Sequence, residues 1–151
     1  MSRCPFQVLV IPFIRTEQKT IKYCIFKRAD ELYWQFIAGG GKDLESPWQA
    51  AIRETFKESG ISDAAQYFKL DTVSSISVSC FAERDLWREN RYVIPNYCFA
   101  VEVSNQNIVL SEEHLEYCWV NYQEAKSLLY WDDNKTALWE LKERLLNNDW
   151  F

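Results

Sequence analysis

Residues 39–61 run GGGKDLESPWQAAIRETFKESGI, three glycines followed by a polar turn and a helix-forming segment that Gly60 closes. Ser46-Pro47 has the form of a helix start: a hydroxyl to cap free N–H groups, then a ring where no N–H is needed. Gly60 is the expected stop, since a helix end often needs a left-handed residue. At about 100° per residue, Trp48, Ile52, Thr55, Phe56 and Ser59 fall on one side of this helix and Ala50, Glu54, Lys57 and Glu58 on the other. The first stripe is expected to pack on a sheet, and the second to face a cleft or solvent.

Glu54 and Glu58 are four residues apart, so their carboxylates stand one turn above the other. Like charges at that spacing destabilise a helix unless something lies between them. A hard divalent ion fits there, because Mg²⁺ prefers carboxylate oxygens and keeps waters that exchange for phosphate. The alternative is a solvated face on which Arg53, Lys57 and Glu58 form surface pairs.

Outward from this stretch the chain alternates strands and helices. Residues 7–15 and 21–28 are β-branched, aromatic-rich runs joined by polar residues 16–20, which predicts a hairpin. A short strand at 33–37 is expected to open into the glycine loop. Further strands are expected at 70–79, 92–103 and 117–120, and helices at 123–129 and 134–146, with Leu138, Leu141 and Leu145 on one stripe. This pattern predicts an α/β (α+β) fold, a mixed sheet with helices on both faces.

The 151 residues carry a net charge of −5, with 48% hydrophobic and 26% charged side chains, which suits one compact domain over 1–151. An acidic chain without a basic run argues against nucleic-acid binding, and a polyanionic substrate would need a cation as mediator. Five cysteines (Cys4, Cys24, Cys80, Cys98 and Cys118) without a Cys-x-x-Cys pair suit buried thiols in strands and a reducing cytoplasm. The apolar run at 4–14 is too short to span a bilayer and reads as a strand rather than a signal peptide, so no membrane partner is expected.

Gly39, Glu45, Arg53, Glu54, Glu58, Gly60 and Ile61 resemble, at fixed spacing, the Nudix box G-x5-E-x7-R-E-U-x-E-E-x-G-U, where U is apolar. The resemblance implies an α/β/α sandwich and hydrolysis of a phosphoanhydride with Mg²⁺ or Mn²⁺. It also implies that the Ala38 carbonyl reaches the metal, that Glu45 pairs with Arg53 to fix the turn on the helix, and that Glu54 and Glu58 are ligands. Two positions depart from the box. Thr55 replaces an apolar residue, and Lys57 takes the first place of the Glu-Glu pair. A lysine and a divalent ion about 6 Å apart at an effective dielectric of about 20 repel by roughly 5 kcal/mol. Lys57 is therefore expected to swing away, pair with Glu54 or contact substrate phosphate, and one metal position is expected to be weakened.

Tyr33-Trp34-Gln35, Glu113-His114-Leu115, Trp119, Trp131, Asn134-Lys135 and Ala137-Leu138 resemble the bacterial dihydroneopterin triphosphate and dATP pyrophosphohydrolase branch of that family. This adds Glu113 as a ligand from outside the box and as second candidate, after Glu54, for the general base. A small nucleoside or pterin triphosphate becomes the expected substrate, and a homodimer follows from the resemblance alone. Lys27 and Arg28 are candidates for terminal phosphates, against an ordinary exposed strand end. Asn134 is a candidate for a base edge, against a helix cap. Trp34, Phe81 and Trp131 are candidates for stacking on the base, and Arg84, Arg88 and Arg91 for covering the anion. The rival readings are hydrolysis of nucleoside diphosphate-linked substrates, and a nucleotide-binding domain whose catalysis Lys57 has weakened.

Overall fold

The structure, a computed structural model, describes residues 3–87 and 91–149. Strands β1 (Arg3–Arg15) and β2 (Ile21–Arg28) form the expected antiparallel hairpin, with Phe13 opposite Tyr23. Strands β3 (Trp34–Gln35) and β4 (Ile37–Lys42) follow. The glycine loop is corrected here: Gly39, Gly40 and Gly41 are strand residues of β4, which runs antiparallel to β1 with Val8 opposite Gly39. The reason is steric. Glu54 lies on Gly39, Arg3 on Gly40 and Phe6 on Gly41 so closely that a Cβ would overlap each of them. The glycines admit neighbours rather than bend the chain.

Helix α1 (Pro47–Ser59) starts as expected. Ser46 Oγ accepts from the Gln49 N–H at 3.2 Å, Gln49 Oε1 accepts from the Ser46 N–H at 2.9 Å, and Gly60 ends the helix at φ 75°. Its rotation differs from the expected one. The buried residues are Ala50, Ala51, Glu54, Thr55, Glu58 and Ser59, while Phe56 is 61% exposed and Trp48 is 42% exposed. Small residues face the sheet, where Ala50 and Ala51 pack with Ile37 of β4 and Val8 and Val10 of β1 and Gly39 leaves room for Glu54, and the large rings stay exposed.

The remaining elements are β5 (Gln66–Ser77), short 3₁₀ turns at Val78–Cys80 and Ala82–Leu86, β6 (Val93–Glu102), β7 (His114–Val120), α2 (Tyr122–Leu128) and α3 (Asp132–Asn147). The sheet is mixed. β1 runs parallel to β6, which pairs antiparallel with β5; β2 pairs antiparallel with β1, β3 and β7. Leu9, Ile11 and Phe13 of β1 pack with Leu138 and Leu141 of α3, and Val8 and Val10 with Ala50 and Ala51 of α1. Alternate side chains thus serve opposite faces, and 8–14 is buried throughout because helices cover both. Not all cysteines are the expected buried thiols: Cys24 and Cys98 are, Cys4 and Cys118 are half-buried, and Cys80 is exposed in a 3₁₀ turn. Among the described residues no helix is long and apolar enough to cross a membrane.

Glu140 ties α3 to β5, accepting from the N–H groups of Asp71 (2.6 Å) and Thr72 (2.8 Å), from Thr72 Oγ1, and from Arg144 Nε at 2.8 Å. Burial alone would raise its pKa, but the donors from Thr72, Asp71 and Arg144 outweigh burial and hold it below the usual range. Its contribution is therefore complete above the unfolded value of about 4.3 and is lost as pH falls through the lower folded value. Glu140→Gln should lose about 1–3 kcal/mol at pH 7 in urea unfolding, with the gap to wild type closing as the medium is acidified; a gap independent of pH would contradict this.

Candidate functional site

Arg53 organises the site. Its Nε and Nη2 grip Glu45 at 2.6 and 2.9 Å, Nη2 also donates to the Gly40 carbonyl at 2.8 Å, and Nη1 donates to Glu54 Oε1 at 2.7 Å. Glu45 Oε1 closes the turn before α1 by accepting from the Lys42 N–H at 2.8 Å. The guanidinium lowers the Glu45 pKa, and Glu45, then Glu54, raise that of Arg53. The expected Glu45–Arg53 pair is present, and it reaches β4 and Glu54 as well.

Glu54 is 4% exposed and Glu58 is fully buried. Both Glu58 oxygens lack a hydrogen-bond partner; the nearest donor position, His114 Nδ1, is 3.7 Å from Oε1 and itself unpartnered. Burial, then the adjacent Glu54 carboxyl and the charge of Glu113, push the Glu58 pKa up to about 10. His114 packs on the Phe26 ring, 5.3 Å between centroids, and burial lowers its pKa, which favours the neutral imidazole. Two neighbouring carboxyls, one without any donor, form a site that a cation would satisfy. Their hard oxygens fit Mg²⁺ or Mn²⁺, and Ala38 and Glu54 line the same cavity.

A cavity of about 370 Å³ opens beside Glu54, lined also by Arg3, Ala38, Gly39, Gly40, Lys42, Lys57, Glu83 and Glu113. Of its expected positions Lys57 takes the first and turns away from the Glu54–Glu58 pair, with Glu113 as its partner. Its Nζ lies 3.4 Å from Glu113 Oε1, and the charges of Glu54, first, and Glu113 raise its pKa. Glu113 is exposed and turned toward this ammonium, and among the described residues no three acidic, histidine or cysteine side chains converge as a metal cluster. The structure thus brings Glu54 and Glu58 together and leaves Glu113 at the cavity rim.

Other sequence candidates lie elsewhere. Arg28 is paired with Asp30 through Nε at 2.7 Å and sits over the Tyr33 ring. Lys27 stands between Trp34 of β3 and Glu116 of β7, and neither basic residue lines the cavity. Asn134 is buried and engaged within the fold: Oδ1 accepts from the Phe36 N–H at 2.8 Å, and Nδ2 donates to Asp133 at 2.7 Å. It is not the cap of α3, a position that Trp131 holds. Trp34 packs on the core and Trp131 stands edge-on to Tyr33 and Tyr130. Phe81 meets Trp87 and the Arg3 guanidinium. Arg84 is exposed, its Nη1 3.5 Å from the Ser79 carbonyl; Arg91 is half-buried, and Arg88 lies outside the described residues. Sequence reasoning missed Arg3 and Lys42. Only their positions flanking a strand and the glycines hinted at them. A larger recess of about 790 Å³ lies at the C-terminal end of α1, where the charged lining residues, Arg15 and Glu102, pair with each other at 3.0 Å.

The description of the NUDIX domain matches residues 5–140. A curated relative, the dihydroneopterin triphosphate diphosphatase of Haemophilus influenzae, is 26% identical over 133 residues, covering 87% of this chain and 83% of that protein. A Listeria monocytogenes protein classed as a NUDIX hydrolase has a crystal structure that superposes with a TM-score of 0.87 at 44% identity, over 97% of this chain and 98% of that one. The E. coli dihydroneopterin triphosphate pyrophosphohydrolase superposes with a TM-score of 0.75 over 97% and 99% of the two chains. Its 20% identity makes that a likeness of fold.

Arg53→Ala leaves Glu54 nearly buried without its donor and should cost about 2–3 kcal/mol in chemical denaturation. Arg53→Lys keeps the charge but not the fork and should recover less than half of it. A lysine variant as stable as wild type would show that the three-way grip does not matter.

Proposed function

The chain belongs to the NUDIX family of phosphoanhydride hydrolases, and we propose on that basis that it cleaves a nucleoside or pterin triphosphate to the monophosphate and pyrophosphate. We further propose that it does so as a single domain, with Mg²⁺ or Mn²⁺ as cofactor, and in the cytoplasm, where its free thiols are stable. The observation that carries the reading is the sealed Glu58 carboxyl without a partner, next to Glu54 and a cavity lined by Arg3, Lys42 and Lys57. The name of the H. influenzae relative supports the triphosphate class.

A bound dication would polarise phosphorus and lower the pKa of the attacking water. The chain's own residues do the rest. Arg53 takes Oε1 of Glu54 and so fixes the direction of its other oxygen, above Gly39. Glu58 supplies a second charge in surroundings that offer it no other donor. Glu54 is the first candidate for the proton, but Arg53 engages its Oε1 and its other oxygen faces Gly39 beside Glu58. The solvent-facing Glu113 at the rim takes the proton, and Lys57 keeps it in place. One observation favours a second reading, a nucleotide-binding domain with weakened catalysis: an ammonium, Lys57, stands where the box has a glutamate, and it is paired with Glu113.

Glu58→Gln replaces a carboxyl that burial already holds toward its neutral form, so the metal-free variant should melt no lower than wild type while turnover is lost. A triphosphate panel with both phosphate products detected, run with and without EDTA, reads this directly. Full activity in the variant, or turnover in EDTA, would reject the site. Turnover with Mg²⁺ or Mn²⁺ by wild type excludes the pure binding domain, and a gain only in Lys57→Glu would support it.

A further inference from the structure

Of the cations lining the cavity, Lys57 is engaged with Glu113, whereas Arg3 keeps unused donors. Its guanidinium lies flat against Gly40, which only the absence of a side chain permits. Nη2 donates to Gln7 Oε1 at 2.6 Å, while Nη1 stands 3.6 Å from Glu83 Oε1, within ion-pair reach but beyond hydrogen-bond distance. Nε is buried with no partner. The guanidinium lies 5.0 Å from the Phe81 ring centroid, and the Arg3 carbonyl accepts the Trp87 indole N–H at 3.0 Å. The group is thus held in position on several sides with Nε and Nη1 unsatisfied. Burial works against its charge, which Glu83 and then Glu54 support; an arginine remains a cation throughout the physiological range.

A fixed guanidinium whose Nη1 makes only a long contact with Glu83 suits a phosphate oxygen at that nitrogen. Glu83 stands on the far side of Nη1, 34% exposed and making only this long contact with Arg3. Resting on the proposal that a polyphosphate enters this cavity, we infer that Arg3 is a phosphate-binding residue that exchanges the Glu83 carboxylate for a non-bridging phosphate oxygen. Glu83 is then a competitor for the arginine, and it is also a source of repulsion toward the anion.

The two residues therefore give effects of opposite sign, which a structural brace would not. The test is calorimetric binding of inorganic tripolyphosphate to the full chain in Mg²⁺ buffer, with Mn²⁺ binding in the absence of anion and melting temperature recorded for each variant. Arg3→Gln should weaken tripolyphosphate binding by about tenfold or more, the loss of a charge-assisted hydrogen bond. Arg3→Lys should recover part of it, and Glu83→Gln should tighten binding by about threefold to tenfold. Mn²⁺ binding should change in none of them. Wild-type affinity in Arg3→Gln, weaker or unchanged affinity in Glu83→Gln, or no tripolyphosphate binding by wild type would overturn the inference; should Arg3→Gln not fold, Glu83→Gln alone decides it. Binding that follows this pattern without cleavage of any triphosphate would leave the inference standing and remove the hydrolytic reading instead.

Discussion

One guanidinium sets the geometry on which the site depends. Arg53 holds Glu45 in the turn before α1, the Gly40 carbonyl in β4, and Glu54 on its own helix. A helix packed only through Ala50 and Ala51 would have freedom to slide along the sheet. The planar fork removes that freedom, because displacing α1 breaks its contacts to the turn at Glu45 and to the Gly40 carbonyl of β4. The glycines complete the constraint. Gly39 lets α1 come close enough for the Glu54 carboxyl to rest on the strand backbone.

The same closeness creates an unfavourable electrostatic arrangement. Glu58 is sealed in the interior with no donor for either oxygen, its neighbour Glu54 is a second carboxyl, and the one nearby imidazole is held toward its neutral form. An ordinary core would place an apolar side chain there. A carboxyl kept in such a place is what a cation site would need, and buried groups perturbed in this way beside a cleft are characteristic of working sites. Lys57 is compatible with such a site because its ammonium turns outward to Glu113, away from the buried pair.

Much of the fold was legible in local chemistry. The Ser46-Pro47 start and Gly60 stop of α1, the hairpin of β1 and β2, and the leucine stripe of α3 each follow from residues that act within one turn or one strand. What could not be read depends on contacts between distant segments. The rotation of α1 is not legible locally, because Phe56 and Trp48 suggest a core stripe until Glu54 is seen to occupy the space above Gly39 and Ala50 and Ala51 to meet Ile37. The glycines looked like a loop because composition cannot show that Glu54, Arg3 and Phe6 occupy the space above them. Within the site, the spacing of Glu45, Arg53, Glu54 and Glu58 carried the essential arrangement. Lys27, Arg28 and Asn134 were plausible by charge or polarity, yet register and local pairing commit Arg28 to Asp30 and Asn134 to the Phe36 backbone. Arg3 had no local signal, since its place in the cavity depends on β1 extending beyond its apolar run and on Gly40 lying beneath it.

The central claim is that the buried Glu54–Glu58 pair is built for a hard dication. Anomalous diffraction from crystals grown with Mn²⁺ tests it most directly. The account predicts a peak at about 2.0–2.3 Å from oxygens of both Glu54 and Glu58, with the Lys57 ammonium still turned away. A peak bound to Glu113 alone, or the lysine ammonium seated between the two buried carboxyls, would contradict it.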